Sequence, residues 1–433
     1  MLGIIRQSNL HGKTTIPGSK SHMIRALYLG SFARGMSKIL SPVKSNDALS
    51  CLGVCRSLGA KIDTSDDNIW RVEGGSLSVP RDILDVGNSG TTMYIGAGLS
   101  ASLGGYCVFT GDQQITRRPI QPVLDALKKL NVEAFTTRAN GSPPFLVKGP
   151  IRGGKTTVKG IVSAYVSSIL LGAALAEGDC EIEVDGVNEI PYIQMTIEWA
   201  KRLGVSIEAE SGMEKFFIAG GQKFSPFEFR VPGDFSSATF PLIGAAISDS
   251  DVTLLGLNMK DVQGDKYLVH VLKEMGADIE IIDDGKLGIR VRGGAPLKGT
   301  TIDCSITPDS IPILSILGCY AQDETRLVNI ESSRLKESDR PLLMCKELAK
   351  MGGRLELNPD SLIIKNQALK GSYVESYGDH RIAMALCIAG LIAEGATLVT
   401  KTESAAVSYP GFQTMLTDLG ADALFVEDNA KQD

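Results

Sequence analysis

Six times along the chain a stretch with helical periodicity ends in a leucine or methionine, passes a small residue and resumes as a strand. These points are Leu58-Gly59-Ala60, Leu130-Asn131-Val132, Leu203-Gly204-Val205, Met275-Gly276-Ala277, Met351-Gly352-Gly353 and Leu419-Gly420-Ala421. The step is about 70 residues each time, and six such units fill the chain. A second set of segments keeps the same beat, each opening with short polar residues and running on through small apolar ones: Gly18-Ser19-Lys20-Ser21, Gly87-Asn88-Ser89-Gly90-Thr91, Ser163-Ala164-Tyr165, Gly233-Asp234-Phe235-Ser236-Ser237, Pro308-Asp309-Ser310 and Gly378-Asp379-His380-Arg381. The chain reads as one supersecondary unit copied six times. Each copy runs strand, small-residue helix, strand, loop, amphipathic helix, then one or two short strands.

The two helices of a unit have different fates. In the third unit Ile193, Ile197, Ala200 and Leu203 fall at helical spacing, with Lys201 and Arg202 near the C-terminus, where cations suit the helix dipole, and Gly204 as the stop. That is an amphipathic, outward helix. Leu170-Leu171-Gly172-Ala173-Ala174-Leu175-Ala176 has no polar face and belongs inside. The most apolar helix, 382–393, is too short to span a bilayer and is likewise expected to be buried.

At 433 residues the chain is long for one core, and six units divide into three and three. A Pro-containing passage at Phe224-Ser225-Pro226-Phe227 separates units three and four. The expected domains are 15–228, and 1–14 together with 229–433, so the first strand returns to the second domain and the chain crosses twice. The polar tail 427–433 is expected to be disordered.

Composition narrows the function. Hydrophobic content of 43% with 22% charged residues is that of a globular protein without membrane spans, and the N-terminus lacks the basic and apolar regions of a signal peptide, so a cytoplasmic location is expected. Eight cysteines without a CxxC suit reduced thiols. A net charge of −6 argues against nucleic acid. Four histidines at no metal-ligand spacing, and the absence of GxGxxG or GxxxxGK[ST], predict neither metal nor cofactor.

What remains is an anion site. Helix N-termini present unpaired N–H groups and partial positive charge. The same segments deliver Lys20, Arg25, Asp309 and Arg381, so an anionic small molecule is the expected ligand. Ser, Asp and Asn there also serve as ordinary N-caps, but a cation at a helix start opposes the dipole and needs another reason. Arg117-Arg118 before Pro119 offers guanidinium forks that match carboxylate or phosphate, although such a pair is often plain surface charge. The run Arg334-Leu335-Lys336-Glu337-Ser338-Asp339-Arg340 packs five ionisable residues into seven. Local ion pairs at a solvated helix start would explain it alone. Its occurrence in register with Asp309 and with Asp379-His380-Arg381 points to a site.

These motifs, Pro17-Gly18-Ser19-Lys20-Ser21 with Arg25, Gly87-Asn88-Ser89-Gly90-Thr91, Arg118-Pro119-Ile120, Lys336-Glu337-Ser338-Asp339-Arg340, Asp379-His380-Arg381 and Ser408-Tyr409-Pro410, resemble in order the signature set of the 5-enolpyruvylshikimate-3-phosphate synthases. The resemblance covers essentially the whole chain. It implies an α/β fold of two domains, an inside-out α/β barrel of six βαβαββ-type repeats, three per domain, with the active site in the interdomain cleft. It implies transfer of the enolpyruvyl group of phosphoenolpyruvate to a substrate hydroxyl with release of phosphate, by a monomer without cofactor. By the same resemblance Lys20, Gly90, Arg118, Arg340 and Arg381 bind phosphoenolpyruvate. Asp309 is the general base, Lys336 meets the acceptor hydroxyl with it, Glu337 protonates the methylene carbon, and His380 tunes Glu337. Ser21, Arg25, Ser163 and Tyr165, with Asp309 and Lys336, form the acceptor side.

That acceptor side departs from the family pattern. Tyr165 stands where the family has Gln, Ser167 where many members have Lys, Glu189 where others have Ser or a basic neighbourhood, Tyr94 where Arg is usual and Val407 where many place Lys. A desolvated carboxylate beside a dianionic phosphate costs several kcal/mol, so either Glu189 points away or the acceptor is not shikimate 3-phosphate. A paralogue with a different, unphosphorylated acceptor is the alternative. A relative of UDP-N-acetylglucosamine enolpyruvyl transferase would carry a Cys in the loop Gly111-Asp112-Gln113-Gln114-Ile115-Thr116, which has none. A non-catalytic repeat scaffold would have no reason to keep Lys336, Glu337, Arg340 and Arg381 together.

Overall fold

The computed structural model describes residues 1–283, 285 and 287–427. Of the tail 427–433, expected to be disordered, residues 428–433 lie outside the described residues. The chain forms two compact units, Gly18–Val231, and Met1–Pro17 with Pro232–Asp433. In the first unit the helices are α1 (Lys20–Phe32), α2 (Asn46–Ser57), α3 (Gly90–Ser100), α4 (Gln121–Lys129), α5 (Ser163–Ala174) and α6 (Ile190–Arg202). In the second they are α7 (Phe235–Ala246), α8 (Tyr267–Met275), α9 (Ile311–Tyr320), α10 (Arg340–Lys350), α11 (His380–Ile392) and α12 (Phe412–Asp418).

The six repeats appear as six four-stranded sheets of one pattern. In the second, Leu84–Asp85 pairs parallel with Tyr106–Thr110, which pairs antiparallel with Phe145–Lys148, itself antiparallel to Glu133–Thr136. In the second, third, fifth and sixth repeats an odd-numbered helix links the parallel pair, and in the first five repeats an even-numbered helix leads into the antiparallel hairpin. The chain ends close the sets. Glu228–Arg230 pairs parallel with Gly35–Leu40, giving the first repeat its opening strand. His11–Thr15 does the same for the fourth beside Asp251–Leu255, and Leu2–Arg6 lies antiparallel between Ala396–Thr400 and Ala423–Val426 to complete the sixth.

Local chemistry accounts for the two helix classes. The even helices bury one stripe; in α4 Val123, Leu124, Ala126 and Leu127 are buried while Lys128 and Lys129 occupy the last turn. Each of these helices is followed by a residue in the left-handed region: Gly59, Asn131, Gly204, Gly276, Gly352 and Gly420 all have φ between 65° and 107°. Glycine and asparagine adopt that conformation at least cost and let the chain reverse into a strand. The odd helices are buried nearly all round, α7 over its whole length. Their small residues allow close approach: a Cβ on Gly98 of α3 would stand 2.0 Å from the Ser168 carbonyl of α5. Instead, the Gly98 N–H donates to Ser168 Oγ at 3.1 Å. A Gly98→Val change would overpack this contact at a cost of at least about 1–3 kcal/mol.

Candidate active site

In the Met1–Pro17 and Pro232–Asp433 unit, the ionisable residues converge on Arg340, the first residue of α10. It is 1% exposed. Its Nε donates to Asp379 Oδ2 at 3.0 Å, Nη1 to Asp309 Oδ1 at 2.7 Å and Nη2 to Glu337 Oε2 at 2.5 Å. Arg381 Nη1 donates to the Ser236 carbonyl at 2.9 Å, and Nη2 lies 3.8 Å from Asp309 Oδ2. Burial alone would push the Asp309 carboxyl up, but the charges of Lys336, Arg340 and Arg381 hold it well below the usual carboxylate range. On Arg340 burial works to lower the guanidinium, but Asp379, Glu337 and Asp309 outweigh it and the guanidinium is raised. Asp309 keeps a quarter of its side chain open, whereas the cation that holds it is enclosed. Asp309, Lys336, Glu337, Arg340 and Arg381 are therefore one electrostatic group.

Two buried carboxylates support this group. Asp379 caps α11 by accepting from the Arg381 N–H at 2.9 Å, and it also accepts from Ser338 Oγ at 2.8 Å. It joins the segment before α10 to the start of α11. His380 Nδ1 is 4.0 Å from Asp379 Oδ1. Asp265, in the fourth repeat, accepts from Thr307 Oγ1 at 2.6 Å and Ser310 Oγ at 2.9 Å, the residues flanking Pro308 and Asp309. Sequence reasoning assigned neither carboxylate a role. The N-cap position of Asp379 was the available signal; Asp265 had none, because its partners lie a repeat away.

In the Gly18–Val231 unit, Lys20 opens α1 and its Nζ lies 3.0 Å from Asp47 Oδ2, in the first turn of α2. That buried carboxylate offsets the cation's conflict with the helix dipole. Gly90 opens α3 after the cap Ser89, whose side chain accepts from the Thr92 N–H. A Cβ on Gly90 would stand 2.2 Å from Arg118 Nη1, so the guanidinium lies directly over the first residue of α3. Arg118 is buried. The loop leading to it is tied back by Asn88 Nδ2, which donates to Asp112 Oδ2 at 2.6 Å and Gln114 Oε1 at 2.8 Å. Lys20, Gly90 and Arg118 are thus held by separate local devices.

The acceptor residues of this unit have partners that the motif comparison did not foresee. Arg25 is 2% exposed, and its donors reach Thr196 Oγ1 at 3.0 Å, the Ser21 carbonyl at 3.1 Å, the Tyr192 carbonyl at 3.2 Å and Ser167 Oγ at 3.4 Å, all neutral oxygens. Burial pushes its guanidinium down to about 10, so it remains charged at neutral pH. Ser167 Oγ also lies 2.8 Å from Thr196 Oγ1, so both hydroxyls that meet the guanidinium are tied together. Glu189 is engaged within the protein: its Oε2 accepts from the Ser163 N–H at 2.8 Å and Ser163 Oγ at 2.6 Å, closing the N-terminus of α5. Tyr165 donates its O–H to the Pro119 carbonyl at 3.1 Å and packs edge-to-face on Tyr94 with ring centroids 4.8 Å apart. Burial, then Tyr94 and Glu189, raise its phenol. Two of the departures, Tyr94 and Tyr165, are therefore one packed pair.

A family profile described as EPSP synthase (3-phosphoshikimate 1-carboxyvinyltransferase) matches residues 4–416. A 3-phosphoshikimate 1-carboxyvinyltransferase of Acetivibrio thermocellus is 46% identical over 425 residues, covering 98% of this chain and 99% of that protein. One from Methanocaldococcus jannaschii is 38% identical over 428 residues, covering 97% and 98%. An EPSP synthase structure from Acinetobacter baumannii superposes with a TM-score of 0.81 at 28% identity, over 98% of this chain and 100% of that one. The enolpyruvyl transferase NikO from Streptomyces tendae, at 20% identity, shares the fold with a TM-score of 0.80 over 98% of each chain. The chain belongs to the EPSP synthase family.

Proposed function

We propose that this protein moves the enolpyruvyl group of phosphoenolpyruvate to the 5-hydroxyl of shikimate 3-phosphate, releasing phosphate. Lys20, Arg118, Arg340 and Arg381, with the Gly90 N–H, hold phosphoenolpyruvate. A ligand of about three negative charges calls for several cations and forked donors in a desolvated site. Asp309 takes the proton of the acceptor hydroxyl, assisted by Lys336. As the oxygen bonds to C2, Glu337 gives a proton to C3, and a tetrahedral ketal forms. Glu337 then takes a proton back from the C3 methyl, the C2–O bond to phosphate breaks and the enol ether remains. Acid and base roles of this kind contribute about 10²–10⁴-fold each. His380 tunes Glu337. Ser21, Arg25, Ser163 and Tyr165 form the acceptor side, where Arg25 supplies a buried cation for an acidic group.

The observation that carries this reading is that one buried guanidinium, Arg340, holds both the base and the acid. The test is phosphate release from phosphoenolpyruvate with shikimate 3-phosphate as acceptor. The wild-type protein turns over and Glu337→Gln does not; equal release by both would refute the assignment. The reading also makes the enzyme a cytoplasmic monomer; the eight free thiols support the reducing compartment.

Glu189 on Ser163 favours a second reading, a transferase whose acceptor carries no phosphate at the start of α5. Offering shikimate and shikimate 3-phosphate side by side separates the two. Preference for the phosphorylated acceptor supports the first reading, and preference for the unphosphorylated one supports the second.

A further inference from the structure

Glu347, two turns into α10, is a fully buried carboxylate that the reaction does not use. Its Oε1 accepts from Tyr377 O–H at 2.5 Å, and its Oε2 accepts from the Glu375 N–H at 2.8 Å and Lys350 Nζ at 2.5 Å. Burial would raise the carboxyl, but these three donors hold it below its usual range, so it is an ionised acceptor. Two of these partners, Glu375 and Tyr377, lie on the segment that leads into Asp379-His380-Arg381.

The backbone of that segment is unusual. Tyr377 has φ +58° and Gly378 φ +72°, two left-handed residues in succession. Glycine takes this conformation freely, whereas tyrosine needs its surroundings to impose it. Glu347 fixes the phenol from one side, and Lys346 Nζ lies over the ring at 5.2 Å from its centroid. The double left-handed turn brings the Asp379 N–H onto the Ser376 carbonyl at 2.9 Å and delivers the Asp379 carboxylate to Arg340.

Arg340 and Glu347 are about two turns apart, which puts them on the same face of α10. The helix is thus fastened to the 375–381 segment at two points: Arg340 to Asp379 at its start, and Glu347 to Tyr377 and the Glu375 N–H further along. The second fastening adds to the core packing of Met344 and Leu348 and fixes the far part of α10 to that segment.

We infer that Glu347 and Tyr377 are a positioning pair for the phosphoenolpyruvate side of the reaction, clamping α10 to the 375–381 segment so that Arg340 and Arg381 keep their spacing. Neither residue is catalytic; both act through the two arginines. The inference rests on the assignment of those arginines to phosphoenolpyruvate.

The test is steady-state kinetics of Tyr377→Phe and Glu347→Gln, with KM for each substrate and the melting temperature measured together. Tyr377→Phe keeps the ring and the Lys346 contact and removes only the O–H, so it decides the matter even where Glu347→Gln fails to fold. The expected result is a rise of about tenfold or more in the KM for phosphoenolpyruvate, the worth of one hydrogen bond to a charged group, with the acceptor KM unchanged. Lys350→Gln, which leaves the Tyr377 bond in place, keeps the KM for phosphoenolpyruvate at the wild-type value. A lowered melting temperature with both KM values unchanged in Tyr377→Phe would overturn the inference, because the pair would then be merely structural. Arg381→Lys is the control for the underlying assignment. An unchanged KM for phosphoenolpyruvate in that variant would overturn the assignment itself, whatever Tyr377→Phe shows.

Discussion

Arg340 Nη1 lies 2.7 Å from Asp309 Oδ1, an ion pair that joins the start of α10 to the turn before α9. The same guanidinium carries Glu337 and Asp379. A buried cation shared by three carboxylates cannot be removed without leaving buried charge uncompensated.

Arg340→Met is therefore expected to lower stability by about 3–5 kcal/mol as well as to abolish turnover. Urea unfolding measures the first and phosphate release the second. A variant that loses activity at wild-type stability would show that the carboxylates do not depend on Arg340.

Asp309 supplies a pH dependence. Its carboxyl is depressed in the folded state, so the stability it contributes is present in full above the unfolded value of about 3.9 and is lost as pH falls below it. The difference in melting temperature between wild type and Asp309→Asn should be constant from about pH 5 to about pH 7 and shrink steadily below about pH 4. A difference that grows on acidification would mean that the three cations do not dominate at Asp309.

Gly90 leaves room for Arg118. In Gly90→Ala the new Cβ meets Nη1, the movable end of a long side chain, so the fold should persist while the guanidinium shifts. The KM for phosphoenolpyruvate is expected to rise about tenfold, in line with the cost of a misplaced charged group. Kinetics beside a thermal melt check this, and a large drop in melting temperature with an unchanged KM would contradict it.

Arg25 is a buried cation bonded to four neutral oxygens, an arrangement that the acidic group of the proposed acceptor would complete. Arg25→Met is expected to raise the acceptor KM by at least about tenfold and leave that for phosphoenolpyruvate alone. Lysine should not rescue it, because a point charge cannot reach Thr196, Tyr192 and Ser167 together. Equal effects on both substrates would remove Arg25 from the acceptor side.

The repeat was legible because it rests on local rules. Gly59, Gly204 and their counterparts mark helix ends that need a left-handed residue, and the buried helices show in their lack of a polar face. The charged cluster was legible too, since Lys336, Glu337 and Arg340 are near neighbours in sequence and Asp309 and Arg381 repeat in register. The contacts that shape the acceptor side were not. Glu189 reaches Ser163, Tyr94 packs on Tyr165 and Arg25 bonds to Ser167 and Thr196 across different helices. No periodicity encodes which helices will touch. Glu189 could be recognised as out of place in sequence, but its role at the start of α5 appears only in three dimensions.

The central claim is that Glu337 adds a proton to C3 of phosphoenolpyruvate and later removes one. The most direct measurement is turnover in deuterated water, with the methylene of the transferred group analysed by mass spectrometry. The account predicts deuterium at that carbon with wild-type protein and neither product nor label with Glu337→Gln. Product formed and phosphate released without deuterium in the methylene would contradict it.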